Sequence, residues 1–322
     1  MRFATFEYHG VVRSGVVAGE GRGTTVHPLA TEDTVLDLVR AGLPAALGVG
    51  VTAMYEPGIP IDRVRLRPPL DPPTVRDFVA FEEHVEGVVA SVGDGEGVVP
   101  EWYQAPTFYF TNPYAMIGAN DDVQIPSGSE LFDYELEVAA VVGGDGSSLQ
   151  PNQVDIFGYT IMNDWSARDL QRREMKVNLG PAKGKDFAST LGPWLVTADE
   201  LEPYRDADGF LALEMSVSVN GNLIGHDLLS NMGWPFEELV AYASRGAQVR
   251  AGDVLGSGTC GNGGCLAELW GRRGTLDPSP LRPGDVVEMT VEGIGTIRNT
   301  VTAGTKLPPV TSARSRPRVR KR

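Results

Sequence analysis

Residues 131–142, LFDYELEVAAVV, alternate with a period of two. Phe132, Tyr134, Leu136, Val138, Ala140 and Val142 fall on one side, and Asp133, Glu135, Glu137, Ala139 and Val141 on the other. That period belongs to a β-strand, which places residues i and i+2 on one face. The second face opens with carboxylates and turns apolar two residues after the last of them. Taken alone, the strand reads as one with a solvated face. The sharper reading makes Glu135 and Glu137 paired oxygen ligands for a hard divalent cation, because neighbouring carboxylates repel unless a cation lies between them.

Strand signals recur along the chain. RFATFEY, RSGVVAG and TTVHPL lie within the first thirty residues. VSVNGNLIG (217–225) sets Asn-Gly between apolar alternations, a hairpin signal, and VVEMTVEGIGTIRNTV (286–301) predicts a second hairpin. Helical spacing is confined to 33–47, to 78–90 with Phe81, Val85 and Val88 on one stripe, and to 235–246, which closes at Gly246. Regular β-α alternation is absent, so the expected class is α+β, mainly β, and not a doubly wound sheet. Four prolines between 68 and 73 mark a boundary. The expected organisation is a small N-terminal domain over 1–70, a larger domain over 74–308, and a disordered basic tail over 309–322.

The net charge is −14, yet residues 314–322 carry six basic side chains, so the rest of the chain is six charges more acidic than the whole. An acidic body repels nucleic acid and anionic membranes, and neither is expected as a partner. No apolar run is long enough to span a bilayer, and MRFATFEYHG lacks the apolar centre of a signal peptide. Two cysteines, Cys260 and Cys265, cannot staple a chain of 322 residues, so a reducing, cytoplasmic setting is expected. They have no matching His/Cys cluster in the sequence, which argues against zinc.

Three further segments carry polar side chains where chemistry could use them. FGYTIM reads as a buried strand that runs directly into NDWSARDLQ, so Asp164 stands at a fixed strand end. If Ser166 caps a helix, Arg168 and Gln171 share one side of it. Asp77 precedes the 78–90 helix, and His84 lies beside that helix's apolar stripe. In GPAKGKDFAST (180–190) the glycine spacing is one short of a phosphate loop, and Asp186 stands where Ser or Thr is required. Lys185 is nonetheless a plausible charge for an anionic substrate. GSGTCGNGGCLAELWG (256–271) reads as a Gly-rich loop followed by an apolar strand carrying Glu268.

In this order the segments resemble the fumarylacetoacetate hydrolase family: Asp77 with His84 seven residues on, Glu135-Leu-Glu137, NDWSARDLQ, GKDFAST at 184–190, and Gly-Thr ahead of LAELW. They span nearly all of 74–300. The resemblance implies a mixed, β-roll-like catalytic domain behind a small β-rich N-terminal domain, and a homodimer. It implies that Asp77, Glu135, Glu137 and Asp164 hold Mg²⁺, or Mn²⁺ or Ca²⁺ in its place. His84 matches the base that activates water. Arg168, Gln171 and Lys185 match groups that bind substrate or a developing oxyanion, and Thr259 one near the substrate carboxylate. Short family members place a glutamate three residues after the histidine, where this chain has Gly87. Fumarylacetoacetases draw that acid from a distant C-terminal strand, at the point matched by Glu268, which favours a His84–Glu268 dyad. Against them, Val79 replaces a tyrosine, Ala188 and Ser189 replace Gly-Thr, and TFYFTNP lacks the lysine of many short members.

The implied activity is metal-dependent hydrolysis of a C–C bond in a β-diketo acid such as fumarylacetoacetate or an acylpyruvate. Isomerisation, hydration or decarboxylation of a 2-oxo acid on the same site, and a non-catalytic ligand-binding role, stay open. Residues 93–97, glycine-rich, are expected to hinge a closing lid.

Overall fold

A computed structural model of the chain describes residues 1–92 and 97–315. Apart from Gly97, the expected hinge lies outside those residues, as does the tail from Arg316 onward. Residues 309–315 are exposed and belong to no helix or strand.

Sheet predominates over helix, in an α+β arrangement. Through the largest sheet, the strands run in the order Ile59–Pro60, Thr25–Pro28, Val11–Ala18, Arg2–Tyr8, Ser189–Thr197, Ile156–Asn163, Leu136–Val142, Val254–Gly256, Val75–Phe78 and Phe108–Thr111. Strands from before the proline run therefore continue the same sheet as those that follow it. Arg2 and Phe3 pair antiparallel with Val196 and Leu195. Phe3 and Phe6 are fully buried, so the join is packed as well as hydrogen-bonded.

Both expected hairpins form a second sheet. Glu214–Val219 returns as Asn222–Leu228, and Val286–Val291 as Gly295–Thr302. Asn220 and Gly221 both take positive φ at the first turn, 53° and 77°, the backbone that an Asn-Gly pair tolerates best.

Several local expectations change. The helix expected over 33–47 is two, Val35–Ala41 and Leu43–Ala53, because Gly42 turns the chain at φ 87°. The 78–90 helix starts later, at Glu82, since Val75–Phe78 is drawn into the sheet beside Val254–Gly256. The 131–142 strand is interrupted after Asp133 and resumes at Leu136. Its acidic face is not solvated: Glu135 is 4% exposed and Glu137 fully buried. Every position of Leu136–Val142 is buried, on both faces, and neither face's cover can be read from the strand's own pattern.

Candidate active site

Register assembles the acids. Gly256 pairs with Ala139 on one side and with Asp77 on the other. Paired residues share a face, so Asp77 joins the face that also carries Glu137, and Glu135 stands just ahead of that strand. Oxygen atoms of Asp77, Glu135 and Glu137 all lie within 4.8 Å of one another. Gly256 lies between Asp77 and Glu137. A Cβ there would stand 2.6 Å from Asp77 Oδ1 and 2.8 Å from Glu137 Oε2. Those same two oxygens are buried without a hydrogen-bond partner. Orphaned carboxylate oxygens around a space kept open by glycine suit an oxygen-preferring divalent cation.

Asp164 stands outside that group of three and is joined to it through Lys185. The Lys185 ammonium donates to Asp164 Oδ2 at 2.6 Å and is paired with Glu135. Asp164 also accepts from Tyr109 Oη, and from Ser189 Oγ at 3.2 Å. Lys185 lies 5.7 Å from the centre of the Tyr109 ring, close enough for a cation–π contact.

Charge in this space is strongly perturbed. Burial, reinforced by neighbouring acids, pushes the Asp77 and Glu137 carboxyls well above their ordinary range. Burial acts on Glu135 in the same direction, but the Lys185 ammonium and the Arg168 guanidinium outweigh it and bring this group down to about 2. For Lys185, Asp164 and Glu135 outweigh burial and raise the ammonium above its ordinary value.

Arg168 is 4% exposed and holds the cage. Its Nε donates to Asp133 at 2.8 Å, and its Nη2 pairs with Glu135 at 2.7 Å. Nη1 donates to Gln171 Oε1 at 3.2 Å, so these two side chains do share one side of the helix Arg168–Met175. Ser166 is not that helix's cap: Ala167 takes the cap position. Ser166 instead pairs with Asp133, and its hydroxyl donates to the Asp164 carbonyl. Thr259 donates to Glu137 Oε1 at 3.4 Å, placing it against a cage carboxylate.

His84 is buried in the helix Glu82–Val92, and burial lowers its imidazole to about 4. Its Nδ1 is 3.7 Å from Cys265 Sγ. Glu268 is on a helix, Leu266–Arg273, and not on the expected strand. Asp133 stops the helix's first N–H groups from being orphaned, accepting from Leu266 N at 2.8 Å and Ala267 N at 3.0 Å. Cys265 Sγ accepts from Glu268 N. The Glu268 carboxylate pairs with Arg272 at 2.9 Å, and burial raises it to about 7. Among the described residues, no hydrogen bond joins His84 to Glu268. The two helices nonetheless pack together, and a Cβ on Gly87 would collide with Glu268 Cγ. Glu268 thus fills the space that a side chain at position 87 would need.

Sequence reasoning passed over Asp133, Tyr109 and Cys265. Asp133 carried a signal, since it shares the alternation of Glu135 and Glu137. Tyr109 carried none, because its place depends on pairing opposite Asp77 across two separate strands.

A mixed sheet that concentrates buried acids, a lysine and a neutral histidine at one place makes a candidate metal-binding centre. Residues 74–302 match the model of the fumarylacetoacetate hydrolase C-terminal domain, and the chain belongs to that family. It is 30% identical over 241 residues to the fumarylacetoacetase of Arabidopsis thaliana, covering 60% of this chain and 57% of that one. The chain thus spans just over half the length of such relatives. It is also 30% identical over 247 residues to the oxaloacetate tautomerase YisK of Bacillus subtilis, covering 75% and 74%. The solved fumarylacetoacetate hydrolase of Exiguobacterium antarcticum superposes with a TM-score of 0.71 at 27% identity, over 94% of this chain and 99% of that one. Hydrolases, isomerases and a tautomerase occur among its relatives and structural neighbours.

Proposed function

We propose that the chain is a divalent-metal-dependent hydrolase that cleaves a C–C bond in a β-diketo acid, fumarylacetoacetate or an acylpyruvate. The observation that carries this reading is the convergence of Asp77, Glu135 and Glu137, two of their oxygens unpartnered, beside a buried lysine and a buried neutral histidine. Asp77, Glu135, Glu137 and Asp164 would hold Mg²⁺ or Mn²⁺. When bound, the ion supplies Lewis-acid polarisation of the dicarbonyl group.

The chain's own residues do the rest. His84 Nε2 takes a proton from water as the oxygen attacks the carbonyl carbon, and it returns that proton to the carbon that leaves. Its neutral state at pH 7 leaves the lone pair free for this. Lys185, with Gln171, donates to the oxyanion, a contribution of roughly 3–4 kcal/mol per donor in comparable sites. Arg168 and Thr259 position Glu135 and Glu137, and their own donors would face the substrate carboxylate. Glu268 reaches His84 only after a side-chain shift, with Arg272 released. The organisation into a small N-terminal and a larger catalytic portion, and a homodimer, belong to the same reading.

The missing His84–Glu268 bond favours a second reading with no attacking water: a 2-oxo acid is isomerised by proton transfer, or loses CO₂ to leave an enolate that is then protonated at carbon. Turnover of acylpyruvates and fumarylacetoacetate with Mg²⁺ or Mn²⁺, run in ¹⁸O-water, separates the two. Hydrolysis yields two fragments, one carrying the label, and isomerisation yields neither. Unchanged turnover in Asp164→Ala and His84→Ala would refute the site assignment.

A further inference from the structure

A second set of donors shares Glu135 with the acid cage. His84, Glu135 and Cys265 are all buried, and one ligand atom from each lies within 4.8 Å of the others. No local spacing announces this trio, since His84 arrives from 181 residues before Cys265. We propose that His84, Glu135 and Cys265 form an inhibitory site for a soft divalent cation, Zn²⁺ or Cd²⁺, that captures the imidazole and silences the enzyme.

Donor chemistry separates the two sites. Asp77, Glu135 and Glu137 offer oxygen alone, which suits Mg²⁺ and Mn²⁺. The trio offers one nitrogen, one sulfur and one oxygen, a set that hard cations leave and zinc prefers. The spacing agrees with it. Zinc lies about 2.3 Å from sulfur and about 2.0 Å from imidazole nitrogen, so a tetrahedral edge between them is about 3.6 Å. The Cys265 Sγ to His84 Nδ1 separation is 3.7 Å. Three protein ligands leave the fourth position for water. Binding releases the Cys265 proton to solvent, and no redox change is involved.

The silencing follows from the shared and captured groups. The ring nitrogen facing Cys265 becomes a ligand, which fixes the imidazole and withdraws its basicity. Glu135 serves both sites, so an ion in the trio weakens binding in the cage through like-charge repulsion. The silencing rests on the role proposed for His84, whereas the binding itself does not.

The test titrates the purified chain with Cd²⁺ alone under a non-thiol reductant, following the ultraviolet thiolate-to-cadmium absorption. Wild type is expected to develop the band to one equivalent. Cys265→Ser, which keeps an acceptor for Glu268 N, is expected to lose it, with affinity weakened at least roughly ten-fold. Cys260→Ser is expected to keep it. Thermal melts establish that each variant is folded. A band that persists in Cys265→Ser, that vanishes in Cys260→Ser, or that never forms in wild type would overturn the site. The readout needs no substrate, so it stands apart from any failure of the proposed hydrolysis. With a working assay, Zn²⁺ inhibition should shift by a similar factor in Cys265→Ser and not in Cys260→Ser.

Discussion

Asp133 shows how much of this site rests on one side chain that touches no substrate. Fully buried, it accepts from two N–H groups at the start of the Leu266–Arg273 helix and from Arg168, which in turn holds Glu135. Asp133→Asn removes the charge and turns one acceptor into a donor facing donors. The expected loss is about 3–5 kcal/mol in urea unfolding, the range for breaking a buried pair. A loss under about 1 kcal/mol would mean that Glu135 alone suffices for Arg168. Glu268 carries a pH signature. Burial holds its carboxyl at about 7 against an ordinary 4.5. The folded chain keeps this proton where the unfolded chain has released it. Its stabilising contribution is therefore complete below about pH 4.5 and is lost as pH rises to about 7. His84, lowered to about 4, has the opposite sign: its contribution is present above 6.5 and is lost as pH falls. Comparing wild type with Glu268→Gln under chelator cancels the histidine. Wild type should lose stability relative to the variant between about pH 5 and 7, and parallel pH slopes would contradict the burial.

At the scale of elements, the acid strand and the hairpins were legible, because strict alternation and an Asn-Gly pair are local signals. The helix Leu266–Arg273 was not. LAELW is too short for periodicity to separate strand from helix. Asp133, which satisfies this helix's first N–H groups, lies 133 residues before Leu266. Ser166 misled for a similar reason, since its hydroxyl and backbone were already committed to Asp164 and Asp133. The proposed metal ligands Glu135 and Glu137 could be chosen from the alternation, and Asp77 from the resemblance, but the register that brings Asp77 to them runs through Gly256, whose contribution is the side chain it lacks. Its φ is outside the positive range, so Gly256→Ala meets no backbone strain and acts chiefly on the two cage carboxylates, with Met162 Cε the next neighbour at 3.2 Å. Mn²⁺ affinity by calorimetry should fall at least roughly ten-fold, with about 1–3 kcal/mol lost to overpacking. Unchanged affinity would place the ion elsewhere.

For the whole molecule, strands before the proline run extend the sheet that carries the acids. Removing residues 1–70 would bare the Ser189–Thr197 edge and the apolar surface that Phe3 and Phe6 cover. A chain of 71–322 is expected to be recovered aggregated, and a monodisperse, cooperatively melting product would show that the two portions fold apart. The buried pairing of Lys185 with Glu135 and Asp164 bears on biogenesis. Small metallo-domains often stay unfolded until their ion arrives, because nothing else quiets their ligands. Here the polypeptide brings its own ammonium and guanidinium to the carboxylates. If the proposed ion binds here, the chain is expected to fold before the ion arrives, because Glu135 and Asp164 already have cationic partners of their own.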